Sequence, residues 1–275
     1  MFDPAQIPAA LTEVDDNIAA RIEEAGLNAA QPSQQLLYDG WLLRFSPGKA
    51  RRARSVNAIA GGRLPLVEKI AYCRRWYVQS GLPCLFRITP FSQPRALDAA
   101  LAQAGFAAIE ETRVMTLALP LAAPPSPRTL RVLGIDEFAH CAGALRDSPP
   151  QQVAAHAARL AASPLAAHAQ RLAAVDGETV LAVGQSVREG ELVGLYDIVT
   201  AESARGRGLA SALTVELLRR AADDGATIAY LQVSADNAAA RRVYGRLGFI
   251  DRYAYWYRSE PSASQAQIGA GGERS

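Results

Sequence analysis

The chain has 275 residues, 29 basic against 27 acidic side chains, a net charge of +2, and 49% hydrophobic against 20% charged residues. This composition predicts a packed core in one or two domains rather than disorder, and the near-neutral balance argues against a general nucleic-acid binder, which needs a strongly basic face. Three scattered cysteines, Cys73, Cys84 and Cys141, form no CxxC pair, so neither a disulfide framework nor a zinc site is expected.

The start, MFDPAQIPAALTEVDD, is acidic with no basic n-region. No apolar run approaches the ~20 residues of a bilayer span, so the expectation is a cytoplasmic protein without membrane contact. GWLLRF and RRARSVNAIA read as strands, 64–80 as a helix and PCLFRIT as a strand; a helix ending LAQAGF and the strand ETRVMTLAL follow. The arginine clusters Arg51, Arg52 and Arg54, and Arg241 and Arg242, read as solvated faces. PLAAPPSPR has four prolines in nine residues and reads as an extended connector. It divides 1–125 from 126–262, and the small, polar 263–275 reads as a flexible tail.

In the second half RTLRVL reads as a strand, 136–145 and 151–162 as Ala-rich helices. Three strands follow, AQRLAAVDG, TVLAVGQSVREG and ELVGLYDIVTA, joined by Asp-Gly and Glu-Gly hairpin signals. Leu209, Leu213, Leu217 and Ala221 recur every four residues in a helix that Gly225 is placed to end. TIAYLQVS is a strand, Asn237 caps a helix through Leu247, Gly248 sits at its left-handed end, and RYAYWYR closes as a strand. The order β-α-α-β-β-β-α-β-α-β predicts an α/β layer arrangement on a mixed sheet. The first half repeats the later part of this order. FRITPFSQPRALDAALAQAGF and LQVSADNAAARRVYGRLGF both read as strand, turn, helix and terminal Gly-Phe. Leu101 stands where the second copy has Tyr244, and AIAGGRLPL, with Pro65 at the helix start, stands where it has an arginine-glycine loop.

That loop, ARGRGLAS, places Arg205, Gly206, Arg207 and Gly208 before a helix, a pattern suited to a phosphate. A nucleotide-hydrolysing P-loop is excluded because no Gly-Lys-Ser/Thr occurs, and a dinucleotide fingerprint fails because Ser211 stands where a third glycine belongs. Arg205-x-x-Gly208-x-Ala210, followed one helix and one strand later by Asn237-x-x-Ala240-x-x-x-Tyr244-x-x-x-Gly248-Phe249, resembles the two signature motifs of the GNAT superfamily of acetyl-CoA-dependent N-acetyltransferases. The resemblance covers about 128–258, and the first lobe looks like a degenerate second copy, as in tandem-lobed members. GWLLRFSPGKARRARSVN also looks like a leader found in a bacterial subgroup.

The resemblance implies a two-lobed GNAT fold and acetyl transfer from acetyl-CoA to an amine, without metal or covalent enzyme intermediate. Backbone N–H groups from Arg205 through Gly206, Arg207, Gly208, Leu209 and Ala210 to Ser211 would hold the pyrophosphate. The bulged strand around Ile198, Val199 and Thr200 would pair with the pantetheine arm, and one N–H there would polarise the thioester carbonyl. Tyr244 would protonate the departing thiolate, and Asn237 caps its helix with a cofactor contact as a second role. The glutamate that many members use as base has no counterpart, since Val193 and Leu195 are apolar and Glu191 lies at the strand start. Asp197 is the side-chain candidate, and a water chain with no dedicated base stands beside it. His140, His156 and His168 read as structural. The acceptor, a small-molecule or peptide amine, and the oligomeric state are not legible in the sequence. A non-catalytic acyl-CoA-binding or sensor module on the same fold is the competing reading.

Overall fold

A computed structural model describes residues 2–46, 48, 50–121 and 129–260. In chain order it contains α1 (Ala9–Thr12), α2 (Asn17–Asn28), β1 (Gln34–Tyr38), β2 (Trp41–Phe45), β3 (Val56–Asn57), α3 (Leu66–Gln79), β4 (Leu85–Ile88), α4 (Leu97–Gln103) and β5 (Ala107–Ala118). Then come β6 (Leu130–Val132), α5 (Ile135–Ala144), α6 (Pro150–Ala161), β7 (Ala169–Asp176), β8 (Thr179–Glu189), β9 (Leu192–Thr200), α7 (Leu209–Asp223), β10 (Ile228–Ser234), α8 (Ala238–Arg246) and β11 (Ile250–Ser259). The predicted order of the second half is therefore observed element for element. Most of the proline connector, 122–128, and the tail fall outside the described residues.

Two compact units emerge, and neither is one stretch of sequence. Unit 1 comprises the described residues of Met1–Asp15, Pro32–Thr112 and Ala254–Ser275, and unit 2 those of Asp16–Gln31 and Arg113–Tyr253. These limits differ from a single split near residue 125. The long strands β5 and β11 each supply residues to both units, and α2 belongs with unit 2.

In unit 1, β1 and β2 form a hairpin in which Tyr38 pairs with Trp41 across Asp39-Gly40. Both turn residues have positive φ, 43° and 82°, as a two-residue type I′ turn requires. Strand β2 pairs antiparallel with β3, β3 parallel with β4, and β4 antiparallel with β11. Trp41, Phe86, Leu101 and Phe106 share one buried cluster with Ile70 and Tyr77 of α3. The expected strand RRARSVNAIA is a correction: Arg51–Arg54 form a 3-10 turn, and only Val56–Asn57 pair as strand. Arg51, Arg52 and Arg54 are half-buried rather than a solvated face.

In unit 2 the strand order is β5-β10-β9-β8-β7-β6. Strands β6 to β9 are antiparallel neighbours, and β9 and β10 run parallel. One face carries α7 and α8, with Leu172, Ala182, Leu195 and Leu231 in a cluster with Leu213, Leu217 and Tyr244. The other carries α5 and α6, with Ala173 and Val183 against Phe138, Ala142 and Leu160. Successive strand residues alternate between these two clusters, as the period of two demands.

Candidate active site

Strands β9 and β10 pair from Leu192↔Ile228 to Leu195↔Leu231 and then part. Beyond that point β9 continues to Thr200 and β10 to Ser234. A bulge on β9 accompanies the parting. Val199 faces Val183 and Tyr196 faces Gln185, so Asp197 and Ile198 together oppose the single residue Gly184. Asp197 has φ +53°, in the left-handed region, which twists the strand and resets its alternation. Before the bulge Val193 and Leu195 pack on the α7 side, and after it Ile198 does, while Val199 packs on the α5–α6 side. Gly184 makes room: a Cβ there would lie 2.4 Å from Ile198 Cδ1.

The loop after β9 runs through a 3-10 turn, Glu202–Ala204, into α7. Gly206 and Gly208 have φ +77° and +75°, and a Cβ on either would meet nothing within 4 Å. These glycines therefore serve the backbone conformation and an open face, not internal packing. Gly208 is the N-cap of α7, and no side chain caps the helix, so the first-turn N–H groups at Leu209, Ala210 and Ser211 look outward at the positive end of the helix dipole. Arg205 is exposed and pairs with Glu202 at 3.2 Å, a surface contact of little energetic weight. Arg207 is exposed beside it.

Tyr244 on α8 is 9% exposed, sits edge-on to Phe249 at 5.8 Å, and shares its cluster with Leu195, Leu209, Leu231 and Val233. Its hydroxyl has no hydrogen-bond partner among the described residues, and burial pushes its pKa up to about 12. Asn237 does cap α8, accepting the Ala240 N–H at 3.0 Å.

Asp197 is bound on three sides. Arg146, just past α5, donates to Oδ1 at 2.7 Å, and Gln185 donates to Oδ2 at 2.9 Å. His156 Nε2 of α6 stands 3.4 Å from Oδ2, within ion-pair reach but long for a hydrogen bond. Burial by itself would raise the carboxyl's pKa, yet His156 and Arg146 outweigh it and hold the group well below the usual carboxylate range. A carboxylate so engaged has little affinity for a proton, which weighs against Asp197 as base. Nothing in the spacing singles out Arg146, Gln185 or His156; only the bulge brings them to one carboxylate. On the same face the hydroxyls of Tyr196 and Tyr230 lie 2.7 Å apart above Gly194. Among the described residues no group of three His, Cys, Asp or Glu could hold a metal, and no helix is long and apolar enough to cross a membrane.

The loop of unit 1 before α3 is built differently. The Asp39 carboxylate accepts the N–H groups of Arg63, at 2.8 and 3.0 Å, and of Leu64, at 2.9 Å. Buried Lys69 joins it at 3.1 Å. Those N–H groups are already served by an internal anion, and Leu64 and Arg63 as donors lower the Asp39 pKa to about 2.

Parallel strands that part beside an uncapped helix start, in a mixed sheet with helices on both faces, are the arrangement of a GNAT-type fold. The chain belongs to the family described as "Probable histone acetyltransferase Rv0428c C-terminal", which matches residues 18–258. It is similar to the "Uncharacterized N-acetyltransferase YobR" of Bacillus subtilis (strain 168), 29% identical over 229 residues that cover 79% of this chain and 89% of that protein. The solved GCN5-related N-acetyltransferase from Kribbella flavida superposes with a TM-score of 0.68 at 18% identity, covering 92% of this chain and 99% of the other. A tandem GNAT protein from the clavulanic acid biosynthesis pathway gives 0.54 at 17% identity, over 70% and 69% of the two chains. These two likenesses show the fold, and the family shows an acyltransferase.

Proposed function

We propose that the chain transfers an acetyl group from acetyl-CoA to a primary amine, by direct attack in a ternary complex held by unit 2. The observation that carries this reading is the parting of β9 and β10 beside an uncapped helix whose loop glycines face open space. Residues 205–211 suit a pyrophosphate, because outward N–H groups, a helix dipole and two arginines converge there. The β9 edge at Ile198, Val199 and Thr200, beyond the last pair with β10, suits the amides of a pantetheine arm added as a strand. Bound there, acetyl-CoA supplies the thioester acyl group and a sulfur leaving group.

Tyr244 donates its hydroxyl proton toward that sulfur. With a pKa of about 12 the phenol stays protonated at neutral pH. Handing its proton completely to a thiolate of pKa about 8.5 is uphill by roughly 3 to 4 pK units. Its contribution is then a hydrogen bond that strengthens as negative charge develops. Asp197 holds Arg146, His156 and the bulge in register, and the amine releases its proton to water. The engaged Asp197 is also what favours the alternative, an acyl-CoA-binding module without turnover. Steady-state assays of Tyr244→Phe with acetyl-CoA and a panel of amines separate the two. A loss in kcat with unchanged acetyl-CoA affinity supports transfer, and no turnover of any amine by the wild type supports the module.

A further inference from the structure

Unit 1 buries a lysine that the proposed reaction does not use. Lys69 of α3 is 0% exposed, and its Nζ lies 4.2 Å from the centroid of the Trp41 ring. Two of its donors go to neutral carbonyls, Asp39 O at 2.6 Å and Gly61 O at 3.0 Å. The third meets the Asp39 carboxylate, whose Oδ2 is 3.1 Å away. An ammonium has three donors, so the set is complete, and the carboxylate supplies its negative charge. A buried ammonium is costly without such a partner.

The rest of the cradle is backbone. The N–H groups of Arg63 and Leu64 converge on the same carboxylate. Gly62 has φ +76°, and a Cβ on it would lie 2.2 Å from Asp39 Oδ2, so the loop closes on the carboxylate as tightly as a glycine allows. These donors favour negative charge: Leu64 and Arg63 first, and Lys69 after them, draw the carboxyl down to about 2. Gly62, Arg63 and Leu64 are exposed and Asp39 is half-buried, so the place of the carboxylate is reached from solvent although Lys69 behind it is not. Its room is set by what fills it, a single carboxylate group.

We infer that the unit 1 loop is an oxyanion site plugged by its own chain: Asp39, carried on the β1–β2 turn, holds the place of an external carboxylate-sized anion and keeps the loop from taking one. The inference is independent of the acetyl-transfer reading. Without the carboxylate, Lys69 loses its charge partner and two N–H groups face a vacancy open to solvent. Formate has the size, shape and charge to fill it. The turn itself survives in Asp39→Gly, because glycine readily takes the φ of +43° found at position 39.

The test is urea denaturation of the intact protein, wild type against Asp39→Gly, in sodium formate, in sodium chloride at equal ionic strength, and in formamide. Tryptophan fluorescence follows the right unit, since Trp41, Trp76 and Trp256 all belong to unit 1. In chloride the variant is expected to unfold at lower urea than the wild type. Formate should restore at least half of the lost midpoint, saturably, by binding the folded state. Formamide, the neutral isostere, should restore nothing, and the wild type should respond to formate and chloride alike. In Asp39→Gly/Lys69→Met the rescue should vanish, because the buried cation is gone. Should Asp39→Gly not fold in chloride, refolding in formate is expected to recover it. The inference is overturned if formate stabilises the variant no more than chloride or formamide does, if the variant refolds in neither salt, or if rescue persists without Lys69.

Discussion

Burial and neighbouring charge set the chemistry of Asp197 and Tyr244 in opposite senses. The carboxylate is held charged by Arg146 and His156, and the phenol is held neutral by its apolar surroundings. Asp197→Asn tolerates the same left-handed backbone but strands Arg146. The expected cost is about 1–3 kcal/mol at pH 7, read by urea denaturation. The sign with pH follows from the depressed carboxyl. Its contribution is complete above the unfolded value near pH 4 and is lost as pH falls below that. The wild type should therefore lose its advantage over Asp197→Asn in acid. With water as proton acceptor, log kcat/KM should climb with pH toward the amine's own pKa in both proteins. An inflection between pH 6 and 9 that disappears in Asp197→Asn would restore the carboxylate as base. Tyr244→Phe removes a hydroxyl without a described partner, so folding stability should change by less than about 0.5 kcal/mol while kcat falls about 10²-fold; an unchanged kcat makes Tyr244 a core residue. The loop, Asn237 and Tyr244 could be placed from their spacing. The set around Asp197 could not, because Arg146, His156, Gln185 and Asp197 come from four elements, and a single left-handed residue decides which face Asp197 takes.

Among the elements, β9 is the one whose irregularity positions the site. Gly184 is the space into which Ile198 turns after the bulge, so Gly184→Ala should push outward the segment proposed to bear the pantetheine arm. Overpacking of this kind costs about 1–3 kcal/mol, and acetyl-CoA affinity should fall with it; tight binding in this variant would detach the bulge from the cofactor. The second half was legible in detail because its strands are apolar and its helix ends carry Gly225 and Gly248, both at positive φ, 95° and 94°. Less was legible at the start. In β1 burial alternates, with Leu36 and Tyr38 half-buried and Leu37 exposed, but Leu37 is itself apolar, so the sequence QQLLY shows no alternation. Helix α2 has its cap, Asp16 accepting the Ala19 N–H at 2.7 Å, and it buries Ile22 and Leu27, but Ala19, Glu23, Ala25 and Gly26 share that face and dilute its hydrophobic contrast.

Over the whole molecule, the same strand–helix–strand segment recurs as β4–α4–β5 and β10–α8–β11. The ends of the two helices agree to the hydrogen bond. Phe106 N–H donates to the Leu101 carbonyl at 2.9 Å, and Phe249 N–H to the Tyr244 carbonyl at 3.1 Å. Leu101 thus holds the backbone place of Tyr244 without its hydroxyl. Asp39 likewise occupies the loop of unit 1 with a carboxylate, where the unit 2 loop stays open. A recurring segment with one open loop predicts a stoichiometry for the proposed cofactor, and calorimetric titration of acetyl-CoA into the intact protein reads it directly. The account predicts one site per chain, of micromolar affinity, abolished by Gly208→Trp, whose indole would fill the open face of the loop. No binding, or binding that survives Gly208→Trp, would contradict it.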